Sequence, residues 1–198
     1  NFVTYNGEDY AEIASAVNEM VSPAPVILIQ DFENGATGFT NWMVDTNATW
    51  GIDVTQPLSQ KASLKMSTSN QAGCYVNIPA AVGKESIGVR LKISGTVGIV
   101  RIVANGEHAH ELSTCQELTT SQFVFLDTNG EVLTDVASYD TAWGGLRFSQ
   151  EFDGYVLISN ENNVDIQRIN IGIYHGSTNS SGYTMWLDNF FKVKTDNY

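Results

Sequence analysis

Tyr183-Thr184-Met185-Trp186-Leu187-Asp188-Asn189-Phe190-Phe191-Lys192-Val193 is an aromatic run with a lone carboxylate at its middle. Bulky aromatic and β-branched side chains suit a pleated, half-buried surface, so the run reads as a long strand. Near the other end, residues 26–32, Val26-Ile27-Leu28-Ile29-Gln30-Asp31-Phe32, read as a second strand, which ends in acidic residues at Asp31-Phe32-Glu33 before Asn34-Gly35. A first strand ending in acids and a last strand holding one Asp set the frame for everything between them.

Between these ends the chain predicts strands over 41–48, 62–68, 74–79, 86–95, 98–105, 122–127, 144–149 with 154–159, and 167–175. Asn34-Gly35, Gly95-Thr96, Asn105-Gly106, Asn129-Gly130 and Asp153-Gly154 punctuate them as turns. Many short strands with no βαβ alternation predict an all-β fold, an antiparallel two-sheet β-sandwich of jelly-roll type. Residues 1–25 read differently. Tyr10, Ile13, Val17 and Met20 recur near a 3.6 period, which predicts a short amphipathic helix, and Ser22-Pro23-Ala24-Pro25 ends it. The expected organisation is therefore an N-terminal helix-and-linker appendage over 1–25 and one sandwich domain over 26–198.

The chain has 198 residues, 42% of them hydrophobic and only 16% charged, with a formal net charge of −12. The apolar share is enough for a full core, and the low charge suits an extracellular β protein. Ten basic residues spread along the chain leave no nucleic-acid footprint. The acidic balance disfavours anionic membranes and polyanions, so a neutral ligand is the easier match. The chain begins at Asn1 without Met, which predicts a mature or excised secreted fragment. Cys74 and Cys115 are compatible with one disulfide or with two buried thiols, and spacing does not decide between them.

The period-2 rule assigns faces. Ile169, Ile171 and Ile173, Val100, Ile102 and Ala104, and Cys74, Val76 and Ile78 go to the core. If the three strands are neighbours, their outer face carries Tyr75, Asn77, Arg101, Asn105, Arg168, Asn170 and Tyr174. Rings, amides and guanidinium groups dominate that face, with almost no carboxylate. Trp42, Trp50, Tyr139 and Trp143 read as loop aromatics able to wall a cleft, Trp50 and Trp143 each standing beside a glycine in turn-like segments. Trp186 belongs to the fold. His108 and His110 share a strand face, as a transition-metal pair would, but no third ligand stands at suitable spacing, so a solvated loop is expected there.

Asp31-Phe32-Glu33 with Gly35 and Gly38, Ala62-Ser63-Leu64-Lys65-Met66, Phe152-Asp153-Gly154-Tyr155-Val156 and Trp186-Leu187-Asp188-Asn189-Phe190 together resemble β-sandwich carbohydrate-binding modules of secreted bacterial plant-polysaccharide-degrading enzymes, of the galactose-binding-like jelly-roll kind. The resemblance covers about residues 26–193. It implies a structural Ca²⁺ held by Glu33 and Asp188, with Asp31 assisting and backbone carbonyls near Lys61 completing the oxygen shell. It also implies a plant cell-wall glycan, a cellulose-type β-1,4-glucan or a hemicellulose, bound on the concave sheet by Tyr75, Asn77, Arg101, Asn105, Arg168, Asn170 and Tyr174 with Trp50 and Trp143 as walls. The partners it implies are that polysaccharide and catalytic modules of the same parent chain.

A rival reading is a small jelly-roll glycoside hydrolase. That chemistry needs two facing carboxyl groups. The outward positions assigned above carry none, which favours a non-catalytic binder. There is no Gly-x-Ser-x-Gly, no Ser-x-x-Lys with partners and no phosphate loop. A calcium-dependent surface adhesion module is the third reading.

Overall fold

A computed structural model of the chain describes residues 26–35, 39–43, 48–68, 73–78, 82–95, 99–105, 123–140, 145–160, 163–174 and 183–193. The expected appendage over 1–25, the 106–122 segment with His108, His110 and Cys115, and Trp143 lie outside these residues. In chain order the strands are β1 (Val26–Gln30), β2 (Thr40–Met43), β3 (Thr49–Asp53), β4 (Ser63–Thr68), β5 (Gly73–Ile78), β6 (Ser86–Ser94), β7 (Ile99–Ala104), β8 (Phe123–Leu126), β9 (Val132–Leu133), β10 (Ala137–Asp140), β11 (Gly145–Phe148), β12 (Phe152–Ile158), β13 (Ile169–Tyr174) and β14 (Tyr183–Val193). Every pairing between them is antiparallel.

The strands form two sheets. The larger runs β3-β4-β14-β6-β12-β8-β9, with β1 also paired to β14. The smaller runs β10-β11-β7-β13-β5-β2. The molecule is thus the all-β, two-sheet antiparallel sandwich that the alternation predicts. The long terminal strand lies inside the larger sheet, bonded to β4 and β1 on one side and β6 on the other.

The core lies between the sheets and follows the period-2 rule. From the larger sheet come Leu64, Met66, Ile87, Val89, Leu91, Val156, Met185 and Leu187, and from the smaller Val76, Ile78, Val100, Ile102, Ile169, Ile171 and Ile173. Phe125, Phe148 and Phe152 meet edge to face or tilted within 6 Å and fill one part of it. The Tyr183 hydroxyl donates to the Ile99 carbonyl at 2.9 Å and ties β14 to β7 across the sandwich.

Asn189 breaks the alternation of β14. It stands at φ 43°, and the register with β6 slips between Asp188 and Phe191. This bulge turns Phe190 to the core and Phe191 to the outer face, where Leu126, Tyr155 and Val193 form a second, smaller apolar cluster. Gly88 lies opposite Phe191, and a Cβ there would fall inside the Phe191 ring.

The structure corrects two local expectations. Trp50 and Gly51 form no turn: they belong to β3, an end strand of the larger sheet, where Trp50 and Ile52 pack against the core. Trp42 and Tyr139 likewise lie in strands, β2 and β10, rather than in loops.

Candidate functional site

β5, β13 and β7 are neighbours, as the facing argument requires, and their register arranges the candidate residues in rows. Asn77 pairs with Asn170, which pairs with Val103. One row along, Tyr75 pairs with Gly172, which pairs with Arg101. The sheet extends these rows at both ends. Trp42 of β2 pairs with Tyr75, and Gly145 of β11 stands against Arg101 with Asp140 of β10 paired to it. Tyr75 and Tyr174 are fixed here by backbone register, and their side chains lie outside the described residues.

Among the described residues, two polar atoms on this face have no hydrogen-bond partner. The Asn77 Oδ1 and the Arg101 Nε are buried without a hydrogen bond. Arg101 and Asn170 are buried, as is Val103, the ladder partner of Asn170. Asn105 and Arg168 satisfy each other instead. The Arg168 guanidinium donates from Nε and Nη2 to the Asn105 carbonyl at 3.2 and 3.0 Å, while Asn105 Nδ2 donates to the Asp165 carbonyl at 2.7 Å. Asn105 stands at φ 61° and closes the end of β7 in this way. Trp50 lies in the other sheet and is not brought to this face.

The face contains a pair that sequence reasoning missed. Arg147 of β11 donates from Nε to Asp140 of β10 at 2.8 Å, with Nη2 at 2.7 Å from the same oxygen. Among the described strand positions on this face Asp140 is the carboxylate, and Arg147 neutralises it. Its signal was weak, since Ala137-Ser138-Tyr139-Asp140 is short and polar.

The acidic strand ends converge on one segment. Glu33 Oε1 accepts the backbone N–H groups of Lys61 and Ala62 at 2.9 and 3.1 Å. Asp188 Oδ2 accepts the Ser59 and Ser63 hydroxyls at 2.9 and 2.7 Å and the Ser59 N–H at 3.2 Å. Its Oδ1 accepts the Asn189 N–H at 2.8 Å. Burial pushes the Asp188 carboxyl up to about 7, against the downward pull of these donors. Asp31 turns inward on its own loop, with Oδ1 accepting the Glu33 N–H at 3.1 Å. Among the described residues no three His, Cys, Asp or Glu side chains form a metal cluster. Yet the neighbouring Asn189 Oδ1 is buried without a donor. A buried carboxylate beside an unmatched amide oxygen suits a hard, oxygen-seeking cation such as Ca²⁺.

A third feature lies on the outer side of the larger sheet. Thr49, Trp50, Gly51, Ile52, Asp53, Lys65 and Ser67 line an open depression of about 420 Å³ beside Trp186.

No protein-family model and no curated protein matches the sequence. Solved structures do. The chain is similar in structure to β-sandwich carbohydrate-binding modules. A structure described as bearing on the promiscuous specificity of carbohydrate-binding modules from the β-sandwich superfamily aligns at TM-score 0.45 and 14% identity over 83% of this chain, which spans 61% of that one. The CBM22-1 xylan-binding domain from Paenibacillus barcinonensis Xyn10C aligns at TM-score 0.42 and 12% identity, covering 88% of this chain and 97% of that domain. The K1 cleaved adhesin domain of Lys-gingipain from Porphyromonas gingivalis W83 aligns at TM-score 0.45 and 12% identity, covering 87% and 99%. At such identities the likeness says nothing of ligand.

Proposed function

We propose that this chain is a non-catalytic carbohydrate-binding module. It recognises a plant cell-wall β-glycan, a β-1,4-glucan or hemicellulose, on the outward face of the smaller sheet. In a secreted parent chain it would hold an attached catalytic module at its substrate. The observation that carries the proposal is the pair of unmatched polar atoms on that face, the Asn77 Oδ1 and the Arg101 Nε. Buried polar groups are normally bonded, and exceptions call for an explanation. A sugar hydroxyl both donates and accepts, so one polyol satisfies both kinds of atom. β5 and β7 stand two strand spacings apart, about 10 Å, which asks for an extended ligand rather than a single small ring.

The charge pattern supports binding over hydrolysis. Glycoside hydrolysis uses two carboxyl groups about 5 to 9.5 Å apart. Asp140, the carboxylate on the described strand positions of this face, is held in an ion pair with Arg147.

Glu33, Asp188 and the Asn189 amide oxygen would hold a structural Ca²⁺, with Asp31 keeping the Glu33 loop in place. The ion would neutralise the buried Asp188 charge and join the two ends of the chain to the 59–63 segment.

Affinity electrophoresis against xyloglucan, mixed-linkage glucan, hydroxyethyl cellulose, xylan and glucomannan, with reducing-sugar release assayed on the same samples, tests the proposal. Retardation without sugar release is expected. Tyr75→Ala or Tyr174→Ala should weaken binding by about 1–3 kcal/mol if either ring stacks on a sugar. Sugar release, or unchanged migration with every polymer, overturns the proposal.

A further inference from the structure

The chain has four arginines, Arg90, Arg101, Arg147 and Arg168. Three of them are matched. Arg147 is paired with Asp140, and Arg168 with the Asn105 carbonyl. Arg90 gives the clearest contrast, because it is as buried as Arg101, each 7% exposed. Arg90 Nη1 donates to the carbonyls of Leu91 and Gly154 at 3.3 and 3.0 Å, its Nη2 contacts Asp153, and its guanidinium lies over the Tyr155 ring. Arg101 makes no hydrogen bond or ion pair among the described residues, and its Nε is fully buried. A buried guanidinium costs far more to leave unmatched than a neutral group, and it cannot shed its charge.

Its place in the sheet is also unusual. Arg101 pairs with Gly172 in the ladder on one side, and Gly145 of β11 stands against its stem on the other. A Cβ at residue 145 would come within 2.9 Å of the Arg101 Cγ and 2.8 Å of the Val100 carbonyl, so the arginine stem rests directly against that glycine. Glycine on both neighbouring strands keeps the side chains of β13 and β11 out of its row, and Tyr75 stands one strand further on.

We infer that Arg101 is the receptor for a carboxylate borne by the ligand, and that the glycan is one whose largely neutral backbone carries sparse uronic acid groups. The planar fork of a guanidinium matches a carboxylate with two parallel N–H···O bonds. One such cation within a chain of net charge −12 selects a sparse anion. A polymer charged at every sugar would meet the acidic surface around it. The inference rests on the smaller sheet's face being the glycan site, and it names the feature of the glycan that the face reads.

The test compares native glucuronoxylan with the same polymer after reduction of its carboxyl groups, by isothermal titration on the full chain. The expected result is about 10- to 100-fold tighter binding of the native polymer, the range of a charged hydrogen-bonded contact. Arg101→Met should abolish that preference by weakening binding of the native polymer more than of the reduced one, and should leave the melting temperature equal or higher, since it removes a buried unmatched charge. Arg101→Lys, which keeps charge but loses the fork, should retain an intermediate preference and serves if the Met variant does not fold. Equal binding of native and reduced polymer overturns the inference while leaving the glycan-binding proposal intact. So does a preference that survives Arg101→Met, or tighter binding of polygalacturonate than of glucuronoxylan. Binding of neither xylan, nor of any neutral polymer, overturns both.

Discussion

The Trp186 indole N–H donates to the Asp53 carboxylate at 3.0 Å, so the longest strand of the protein is fastened across β4 to the end strand β3. The same carboxylate oxygen lies 3.3 Å from the Lys65 ammonium, which itself sits 4.9 Å above the Trp186 ring. The other oxygen accepts the Thr55 hydroxyl at 2.7 Å and the Thr55 and Gln56 N–H groups. One side chain thus anchors the end strand, the turn that follows it and the indole. Asp53→Ala leaves a nearly buried indole N–H without an acceptor, which should cost about 2–3 kcal/mol. The midpoint of urea unfolding reads this directly. A shift equivalent to less than about 0.5 kcal/mol, the size of an ordinary surface change, would show that β3 is held by apolar packing alone.

Asp53 also sets a pH dependence. The Thr55 hydroxyl and the Trp186 indole, joined by the backbone donors, stabilise the ionised form and hold its carboxyl well below the usual carboxylate range. A depressed folded-state pKa gives stability that is complete above the unfolded value, about 3.9, and drains away as pH falls below it. Wild-type stability should therefore drop more steeply between pH 5 and pH 2.5, on the order of one residue's titration, than that of Asp53→Asn. Parallel acid profiles in the two proteins would contradict this assignment.

Much of this architecture was legible in the chain. Ile169, Ile171 and Ile173 alternate without interruption, so the period-2 rule placed them in the core and set Asn170 opposite, and the register of β13 agrees. β3 was missed because Gly51 beside Trp50 reads as a turn. An end strand tolerates the glycine because β4 supplies its one ladder. β9 and β10 were missed because two- and four-residue strands carry too little periodicity, and Asp140 went unseen with them. The bulge at Asn189 was invisible for a different reason. Nothing in Asp188-Asn189-Phe190-Phe191 says which phenylalanine faces the core until Gly88 and Leu126 supply the second apolar cluster. The isolation of Arg101 is likewise a fact about neighbours, and no local pattern encodes neighbours.

Gly88 and Phe191 form a lock that can be opened from either side. The ring occupies the space in which a Cβ on residue 88 would stand, and Gly88 pairs with Leu157 on the other side, leaving the backbone little room to retreat. Gly88→Ala should therefore destabilise by about 1–3 kcal/mol, the cost of overpacking. Phe191→Ala alone should cost about 3–5 kcal/mol. The double variant should cost clearly less than the sum, because the small side chain at 191 relieves the clash at 88. A simple sum of the two effects would mean that the ring and the glycine do not share space.

The most consequential test of the acidic strand ends is chelation. Glu33 and Asp188 grip residues 59–63 from opposite ends of the sequence, and the Asn189 amide oxygen beside them has no donor. If Ca²⁺ completes this set, EDTA should lower the melting temperature of the wild-type chain and added calcium should restore it. At free calcium one hundred times the dissociation constant the ion contributes about 2.7 kcal/mol. Asp188→Asn should remove the response to both reagents. In metal-free buffer that variant should lose no more than about 1 kcal/mol, because removal of a fully buried charge offsets the one N–H donor, at Oδ1 or Oδ2, that its amide NH2 group cannot accept. Glu33→Gln should weaken the response while lowering the metal-free stability by about 0.5–1.5 kcal/mol, since its ionised carboxylate accepts two backbone N–H groups more strongly than an amide oxygen does. A wild-type melting curve that EDTA does not move, together with a clear loss of stability in Asp188→Asn, would assign these residues to hydrogen bonding of the 59–63 segment and remove the ion from the account.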